Sequence, residues 1–180
     1  MPREILTIGH STHELSRFLA LLASHRVRAL ADVRRYPASR RNPHFDSGAL
    51  AEALAAAGIE YESLAEELGG RRRPRPGRRN SGWRIEAFRG YADHMGQAAF
   101  AAGLKRLERT ASAARTAVLC AEEDWHRCHR RLIADALLVG GWRVLHVRGD
   151  GSVEQHALTP FALASAAGIT YPPPQTTMTD

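Results

Sequence analysis

Residues 5–33, ILTIGHSTHELSRFLALLASHRVRALADV, decide the fold. The β-branched run Ile5–Ile8 predicts a buried strand. Ser11 and Glu14 form a capping-box pattern, which predicts that a helix begins there. Apolar residues at helical spacing continue it: Leu15, Phe18, Leu19 and Leu22. Val27–Val33 predicts a second strand, and one helix between two strands is typical of a β-α-β unit with a parallel sheet.

The rest of the chain repeats this alternation. Further strands are predicted at 59–63, 116–120 and 142–147. Further helices are predicted at 48–57, 85–94, 98–113, 126–138 and 160–167. The pattern predicts an α/β fold: a single domain with a mostly parallel sheet of about five strands flanked by helices, a Rossmann-like three-layer sandwich. We expect the domain to span residues 1–168 and residues 169–180 to form a flexible tail.

Composition excludes several classes of protein. With 180 residues, 44% apolar and 24% charged, the chain has the size and balance of one globular domain. It contains no apolar stretch long enough for a membrane span and no secretory signal at its start. Two cysteines do not make a disulfide scaffold. The expected location is therefore the cytoplasm, with no membrane partner.

The positive charge is concentrated in one segment. The chain carries 25 basic and 19 acidic residues, a net charge of +6. The run RRRPRPGRR at 71–79 contains six arginines and no acid, and the remaining chain is balanced at 19 and 19. Its prolines and glycine predict a loop, which we place at 71–82. The ordinary reading of such a run is a solvated loop.

Ionisable residues follow the predicted strands. In parallel sheets, ligands bind outside the carboxyl ends of the strands, so these residues form one group. The ten candidate site residues among them are His10, Ser11, Asp32, Arg34, Tyr36, Cys120, Glu122, Cys128, His129 and Arg130. The same edge also carries Arg35, Glu123, Arg127, His146 and Arg148. A packed core has no use for so many ionisable groups, and the cluster therefore predicts an active site.

Several members also have a purely structural interpretation. Ser11 fits a helix cap, Asp32 and Arg34 fit an ion pair, and Cys120 fits a small core residue. Cys128 favours function, because a cysteine in the first turn of a helix has a lowered pKa.

The first hypothesis is an enzyme, a hydrolase or transferase, acting on a phosphate-bearing nucleotide or nucleic acid. Asp32 and Glu122 are the candidate general acid and base, and His10 and His129 the candidate proton shuttles. Cys128 or Cys120 is the nucleophile if the chemistry is covalent. Four residues are predicted to bind the anionic part of the substrate: Ser11, Arg34, Tyr36 and Arg130.

Two other hypotheses stay open. One is a non-catalytic nucleic-acid-binding module that uses Arg71, Arg72, Arg73, Arg75, Arg78 and Arg79, with Trp83 for stacking. The other is a thiol redox or metal-binding protein built on Cys120, Cys128 and His129. No metal site or cofactor is predicted, and zinc is disfavoured because two ligands adjacent in a helix rarely converge. Neither the reaction nor the oligomeric state follows from the sequence.

The chain resembles a family known as domain of unknown function 488. The resemblance covers about residues 5–165, and its most specific block is LCAEEDWHRCHR at 119–130. Supporting blocks are TIGHS (7–11), DVRRYPAS (32–39), Phe45, GIEY (58–61), LGG (68–70), FRGYADHM (88–95) and GWRVLHV (141–147). The resemblance implies the α/β fold, the grouping of these residues in one pocket, and a bacterial or archaeal cytosolic protein loosely connected with DNA repair. It implies no reaction, and the arginine-rich filling after LGG is particular to this chain.

Overall fold

The computed structural model describes residues 3–174. The strands are β1 (Glu4–Gly9), β2 (Ala29–Asp32), β3 (Glu60–Ser63), β4 (Thr116–Cys120), β5 (Arg143–Val147), β6 (Val153–Gln155), β7 (Leu163–Ser165) and β8 (Gly168–Thr170). The α-helices are α1 (Leu15–Ser24), α2 (Ser47–Ala56), α3 (Ala65–Leu68), α4 (Glu86–Met95), α5 (Ala98–Ala113) and α6 (Arg130–Val139). Two short 3₁₀ helices lie at Pro43–Phe45 and Trp125–Arg127.

The main sheet has six strands in the order β3-β2-β4-β1-β5-β6. Five of them are parallel, and only the edge strand β6 runs antiparallel, against β5. The prediction of a mostly parallel α/β sheet is confirmed. β6 was not predicted because its three residues, Val153–Gln155, carry no apolar alternation.

Helices cover both faces of the sheet. Along β1, Leu6 and Ile8 pack with α1 and α2, whereas Ile5 packs on the opposite side with α4, α5 and α6. This alternation is the two-residue period of a strand buried on both faces. The three-layer arrangement follows, with α1 after β1 on one face and α6 after β4 on the other.

The neighbouring strands β1 and β4 therefore form a switch point in the topology. Their connections leave toward opposite faces, and a crevice opens between their carboxyl ends. Gly9 closes β1 here, where a Cβ atom would overlap the carbonyl oxygen of Glu122 in the loop after β4. Glycine is required because the two backbones approach so closely. His10 N–H then donates to the Cys120 carbonyl at 3.0 Å and holds the two strand ends together.

The carboxyl-terminal segment differs from expectation. The helix predicted at 160–167 is wrong, because the alanine-rich stretch pairs as the hairpin β7–β8. Gly168, at φ +112°, supplies the left-handed conformation this turn needs, so local pairing overrides the helix preference of alanine. The expected flexible tail from 169 is wrong at Tyr171, which is fully buried and donates its hydroxyl to Asp135. Residues 175–180 of that tail lie outside the described residues.

The sequence predicts no membrane-spanning segment. Over residues 3–174, no helix combines the length and apolar composition that crossing a bilayer demands.

Candidate active site

A cleft of about 640 Å³ lies at the carboxyl ends of β1, β2 and β4. It occupies the switch point between β1 and β4. Six of the ten residues grouped from the sequence line it from the strand ends and the loops behind them: His10, Ser11, Arg34, Tyr36, Cys120 and Glu122. Cys128 and His129, which precede α6, also line it. Asp32 and Arg130 are not among its lining residues.

Two thiols and one imidazole meet in this cleft. The Sγ atoms of Cys120 and Cys128 lie 3.9 and 3.8 Å from Nδ1 of His129, and all three atoms lie within 4.8 Å of one another. The Nε2 atom of His129 lies 3.0 Å from the carbonyl oxygen of Val33, which can only accept a hydrogen bond. Nε2 therefore donates a hydrogen bond to Val33, and Nδ1 faces both sulfur atoms.

Cys128 lies just before helix α6 rather than in its first turn. The helix begins at Arg130, four residues later than the sequence pattern predicts, because a 3₁₀ turn occupies Trp125–Arg127. The backbone N–H of Arg130 still donates to the sulfur of Cys128 at 3.5 Å, and Arg130 Nε donates to it at 3.4 Å. The sulfur of Cys128 thus lies next to the positive end of the helix dipole and next to a guanidinium cation.

The two thiols differ in acidity. Burial opposes ionisation of Cys128, but the Cys120 thiol, the His129 imidazole and the Arg130 cation together hold the pKa of Cys128 well below its usual value. The interaction with Cys128, together with burial, raises the pKa of Cys120 well above its usual value. Cys128 is therefore the more acidic thiol of the pair and the one that more readily becomes a thiolate.

The same three atoms could hold a thiophilic metal ion. In a tetrahedral zinc site, nitrogen and sulfur ligands lie about 3.6 Å apart, close to the two sulfur–nitrogen distances found here. The Val33 carbonyl supplies the hydrogen bond that usually orients a ligating histidine. The argument that adjacent ligands rarely converge fails, because Cys128 and His129 precede the helix instead of lying within it.

The two predicted acid–base carboxylates have different surroundings. Asp32 is 1% exposed and accepts hydrogen bonds from Arg34 Nε and Nη2, the Arg34 backbone N–H and the Tyr61 hydroxyl. It forms the buried ion pair that was the structural alternative for these residues. Glu122 is exposed and lines the cleft, and its Oε1 accepts a hydrogen bond from the Asp124 N–H.

The two arginines assigned to the substrate are used inside the protein. Arg34 Nη1 donates to the Phe45 carbonyl at 2.7 Å, and the rest of its guanidinium is held mainly by Asp32. Arg130 is 1% exposed and donates to the Glu122 and Glu123 carbonyls, which form the wall of the cleft. Both arginines position other groups of the site.

Three other arginines lie at the rim of the cleft. Arg35, Arg71 and Arg127 line it, and the last two are exposed. Arg71 lies 5.8 Å over the ring of Tyr36, which is 66% exposed. Arg35 and Arg127 were missed as ligand contacts. Side chains alternate in direction after β2, and because Arg34 points inward, this alternation could have indicated that Arg35 faces the cleft. No such pattern was available for Arg127, whose position depends on the 3₁₀ turn.

His10 and Ser11 line the cleft from the end of β1. His10 is 3% exposed, stacks on Phe45 and donates from Nδ1 to the Ser11 carbonyl, so Nε2 faces Arg34 Nη1 at 3.3 Å. Burial lowers the pKa of His10 to about 4. The capping role predicted for Ser11 is wrong, because α1 begins at Leu15 and Ser11 adopts φ +45°. Its N–H instead donates to the Ala121 carbonyl.

The arginine loop is exposed at five of its six arginines, and Arg72 is half-buried. Arg72 donates to the carbonyl groups of Glu66 and Gly69, and Arg75 donates to Gln97. The stacking role predicted for Trp83 is wrong. Trp83 is 5% exposed and packs against Phe88 and against Phe161 and Tyr171, which flank the carboxyl-terminal hairpin.

Comparison with known proteins gives one result. The family described as Domain of unknown function DUF488 matches residues 14–137, which include both cysteines and the loops after β2 and β4. No curated protein and no solved structure matches the chain. The match covers more than half of the sequence, and it agrees with the resemblance carried by the CAE and CHR motifs. The chain therefore belongs to the DUF488 domain family.

Proposed function

We propose that the protein is an enzyme that uses the Cys128 thiolate as a nucleophile on a small phosphate-bearing substrate such as a nucleotide. The observation that carries this proposal is the convergence of Cys120, Cys128 and His129 in a cleft with arginines at its rim. Nucleophile, base and anion-binding groups within one cavity form the arrangement that hydrolases and transferases with covalent intermediates require.

Each group of the cluster has a distinct role in this proposal. Cys128 attacks the electrophilic centre of the substrate, and the bond to the leaving group breaks. The Cys120 thiol, next to the thiolate, supplies a proton to the leaving group. His129 Nδ1, held by the Nε2–H contact to Val33, accepts a proton from the water or second substrate that cleaves the covalent intermediate. Glu122 is the carboxylate available to orient that second nucleophile.

The arginines at the rim match the negative charge of the proposed substrate. Arg35, Arg71 and Arg127 surround the opening, and one guanidinium group can bind two phosphate oxygens at once. Arg34 and Arg130 support the site from behind, since their donors contact Asp32, Cys128 and backbone carbonyls. An anionic small molecule therefore fits the cleft better than a neutral one.

Alkylation tests the nucleophile and the rim together. We expect one equivalent of iodoacetate to label Cys128 at pH 7, faster than neutral iodoacetamide does. Arg127→Gln should lower the iodoacetate rate relative to the iodoacetamide rate. Arg109→Gln, which removes an exposed arginine on α5, is the matched control and should leave the ratio unchanged. Labelling of Cys120 in preference to Cys128, or no preference for the anion, contradicts the proposal.

Turnover tests the reaction class. Among nucleotides and other phosphate esters, a substrate of this enzyme should be consumed by the wild type and not by Cys128→Ser. Elemental analysis accompanies this assay, because the same three residues could ligate zinc. Stoichiometric zinc that blocks alkylation until it is chelated would replace the thiolate mechanism with a metal-dependent one.

A second candidate function, binding of a nucleic acid, is favoured by Arg71. This residue belongs to the arginine loop and also lines the cleft, so a polyanion on the loop would lead into the site. Replacing Arg73, Arg78 and Arg79 with serine should weaken binding of single-stranded DNA or RNA and flatten its salt dependence by about one counterion per lost phosphate contact. The control replaces Arg28, Lys105 and Arg109, which are exposed elsewhere. Equal effects of the two triple variants would reduce the loop to a solvated connection.

A further inference from the structure

We propose that Asp135 and Thr7 are positioning residues for Cys128, which they reach through a buried chain of hydrogen bonds with one fixed direction. The inference rests on the proposed nucleophilic role of Cys128. The members between the two ends are His156, His146 and Arg130. Asp135, His146, Thr7 and Arg130 are each at most 1% exposed, and His156 is 3% exposed.

The first half of the chain connects α6 to the centre of the sheet. His156 Nε2 donates to Asp135 Oδ1 at 2.8 Å, and His146 Nε2 donates to His156 Nδ1 at 3.0 Å. The hydroxyl of Thr7 donates to His146 Nδ1 at 2.7 Å. Each contact falls within the distance range of a good hydrogen bond.

The direction of these bonds follows from the groups at the two ends of the chain, Asp135 and Arg130. Its Oδ1 also accepts the backbone N–H of Thr159, and its Oδ2 accepts the hydroxyl of Tyr171. The carboxylate is thus an acceptor, and His156 must donate from Nε2. Burial favours neutral imidazoles, and burial followed by the nearby His156 and Arg130 lowers the pKa of His146 to about 2. At the other end of the chain Arg130 can only donate to Thr7, so the Thr7 hydroxyl proton is available to His146 Nδ1, and the neutral His146 donates from Nε2 to His156.

The second half of the chain reaches the reactive sulfur. Because the Thr7 proton points at His146, the lone pairs of its oxygen are free to accept from Arg130 Nη1, 3.3 Å away. Arg130 Nε then donates to Cys128 Sγ at 3.4 Å. Its Nη2 donates to the Glu122 and Glu123 carbonyls. The threonine hydroxyl therefore fixes the plane of the guanidinium that holds both the nucleophile and the cleft wall.

Such a chain is costly for a protein that needs only a packed core. Buried polar groups must all find partners, and a half-satisfied network destabilises more than apolar side chains of similar size. Here every member is satisfied, and Trp125 stacks on His146 with ring centroids 4.0 Å apart, which fixes the imidazole plane. The chain ends at Cys128 and the cleft wall. We therefore assign it to the orientation of the nucleophile.

Thr7→Val tests the central bond, since valine keeps the shape of threonine and lacks the hydroxyl. We expect the rate constant for alkylation of Cys128 by iodoacetamide at pH 7 to fall about tenfold, because Arg130 loses one of its acceptors and tilts from the sulfur. Thr7→Ser should restore the rate. The matched control is Thr116→Val on the adjacent strand: Thr116 is also fully buried, but its hydroxyl contacts only the Ala114 carbonyl. An equal loss of rate in both valine variants overturns the positioning role.

A second measurement requires no substitution. Nitrogen-15 NMR of the wild type should show His146 as a neutral Nε2–H tautomer, and a Nδ1–H tautomer at this residue overturns the inference. The two proposals fail separately. If Cys128 is unreactive in the wild type, the proposed function is wrong, and the hydrogen-bond chain has no nucleophile to orient. A reactive Cys128 that is indifferent to Thr7→Val removes only the positioning role.

Discussion

Asp32 and Glu122 end up in opposite environments, although each follows a parallel strand. Asp32 shares its oxygens among four donors and is shielded from the cleft. Glu122 lines the cleft with one hydrogen bond on its carboxylate. A carboxylate already saturated by a cation and a hydroxyl has little capacity to exchange protons with a substrate. At the residue scale, Asp32 is therefore a structural anchor, and Glu122 is the acid–base candidate.

Substitution should separate these two roles. Asp32→Asn leaves the Arg34 cation uncompensated in the core, so we expect the free energy of unfolding to fall by roughly 3–5 kcal/mol. Glu122→Gln should change it by about 0.5 kcal/mol or less, as an exposed substitution does, while lowering turnover. Urea denaturation checks the first expectation and steady-state kinetics the second. A stable Asp32→Asn variant that has lost only activity would return Asp32 to the catalytic group.

At the scale of elements, the connection after α3 shapes the site. Gly70 lines the cleft, and a Cβ atom there would lie 2.8 Å from Nδ1 of His129. The imidazole cannot easily retreat, because its Nε2 is bound to the Val33 carbonyl. Gly70 therefore makes room for the imidazole of His129, and the arginine loop begins at the next residue.

Gly70→Ala should consequently displace His129 from the two sulfur atoms. We expect slower alkylation of Cys128 and lower turnover, with a loss of stability of about 1–3 kcal/mol from the overpacked contact. Gly48→Ala in α2 is the control, since nothing lies within 4 Å of the added methyl group. There the free energy of unfolding should rise by roughly 0.5–1 kcal/mol. If both alanine variants alkylate like the wild type, Gly70 has no part in placing the imidazole.

For the whole molecule, the alternation of strands and helices and the cluster at the carboxyl edge could be predicted from local patterns. Apolar periodicity identified the five parallel strands, and the switch point followed from the class of fold. Local patterns could not show which charges meet internal partners. From the sequence alone, Arg34 and Arg130 are predicted to bind the substrate. The fold instead places Asp32 beside Arg34, and Thr7 and the Glu122 carbonyl beside Arg130. Burial of Trp83 and Tyr171 likewise depends on a hairpin whose alanines favour helix.

Global stability should report the buried histidines through its dependence on pH. His10 lies in the site and His146 in the buried chain, and burial is the first cause of a pKa of about 4 for His10 and about 2 for His146. The unfolded chain protonates these groups near pH 6.5. Between pH 6.5 and 4 it therefore binds more protons than the folded protein, and the free energy of unfolding falls as the pH falls.

His10 isolates one part of that loss. Its contribution is absent above pH 6.5 and grows through the window to pH 4, where a pKa difference of about 2.5 corresponds to roughly 3 kcal/mol. We expect urea midpoints to drop between pH 7.5 and 4.5 in the wild type and to drop less in His10→Gln, even if that variant is less stable throughout. The same slope in both proteins would mean that His10 is protonated in the folded state near pH 6.5, and its hydrogen bond with Arg34 would then have to be discarded, because an imidazolium has no lone pair to accept it.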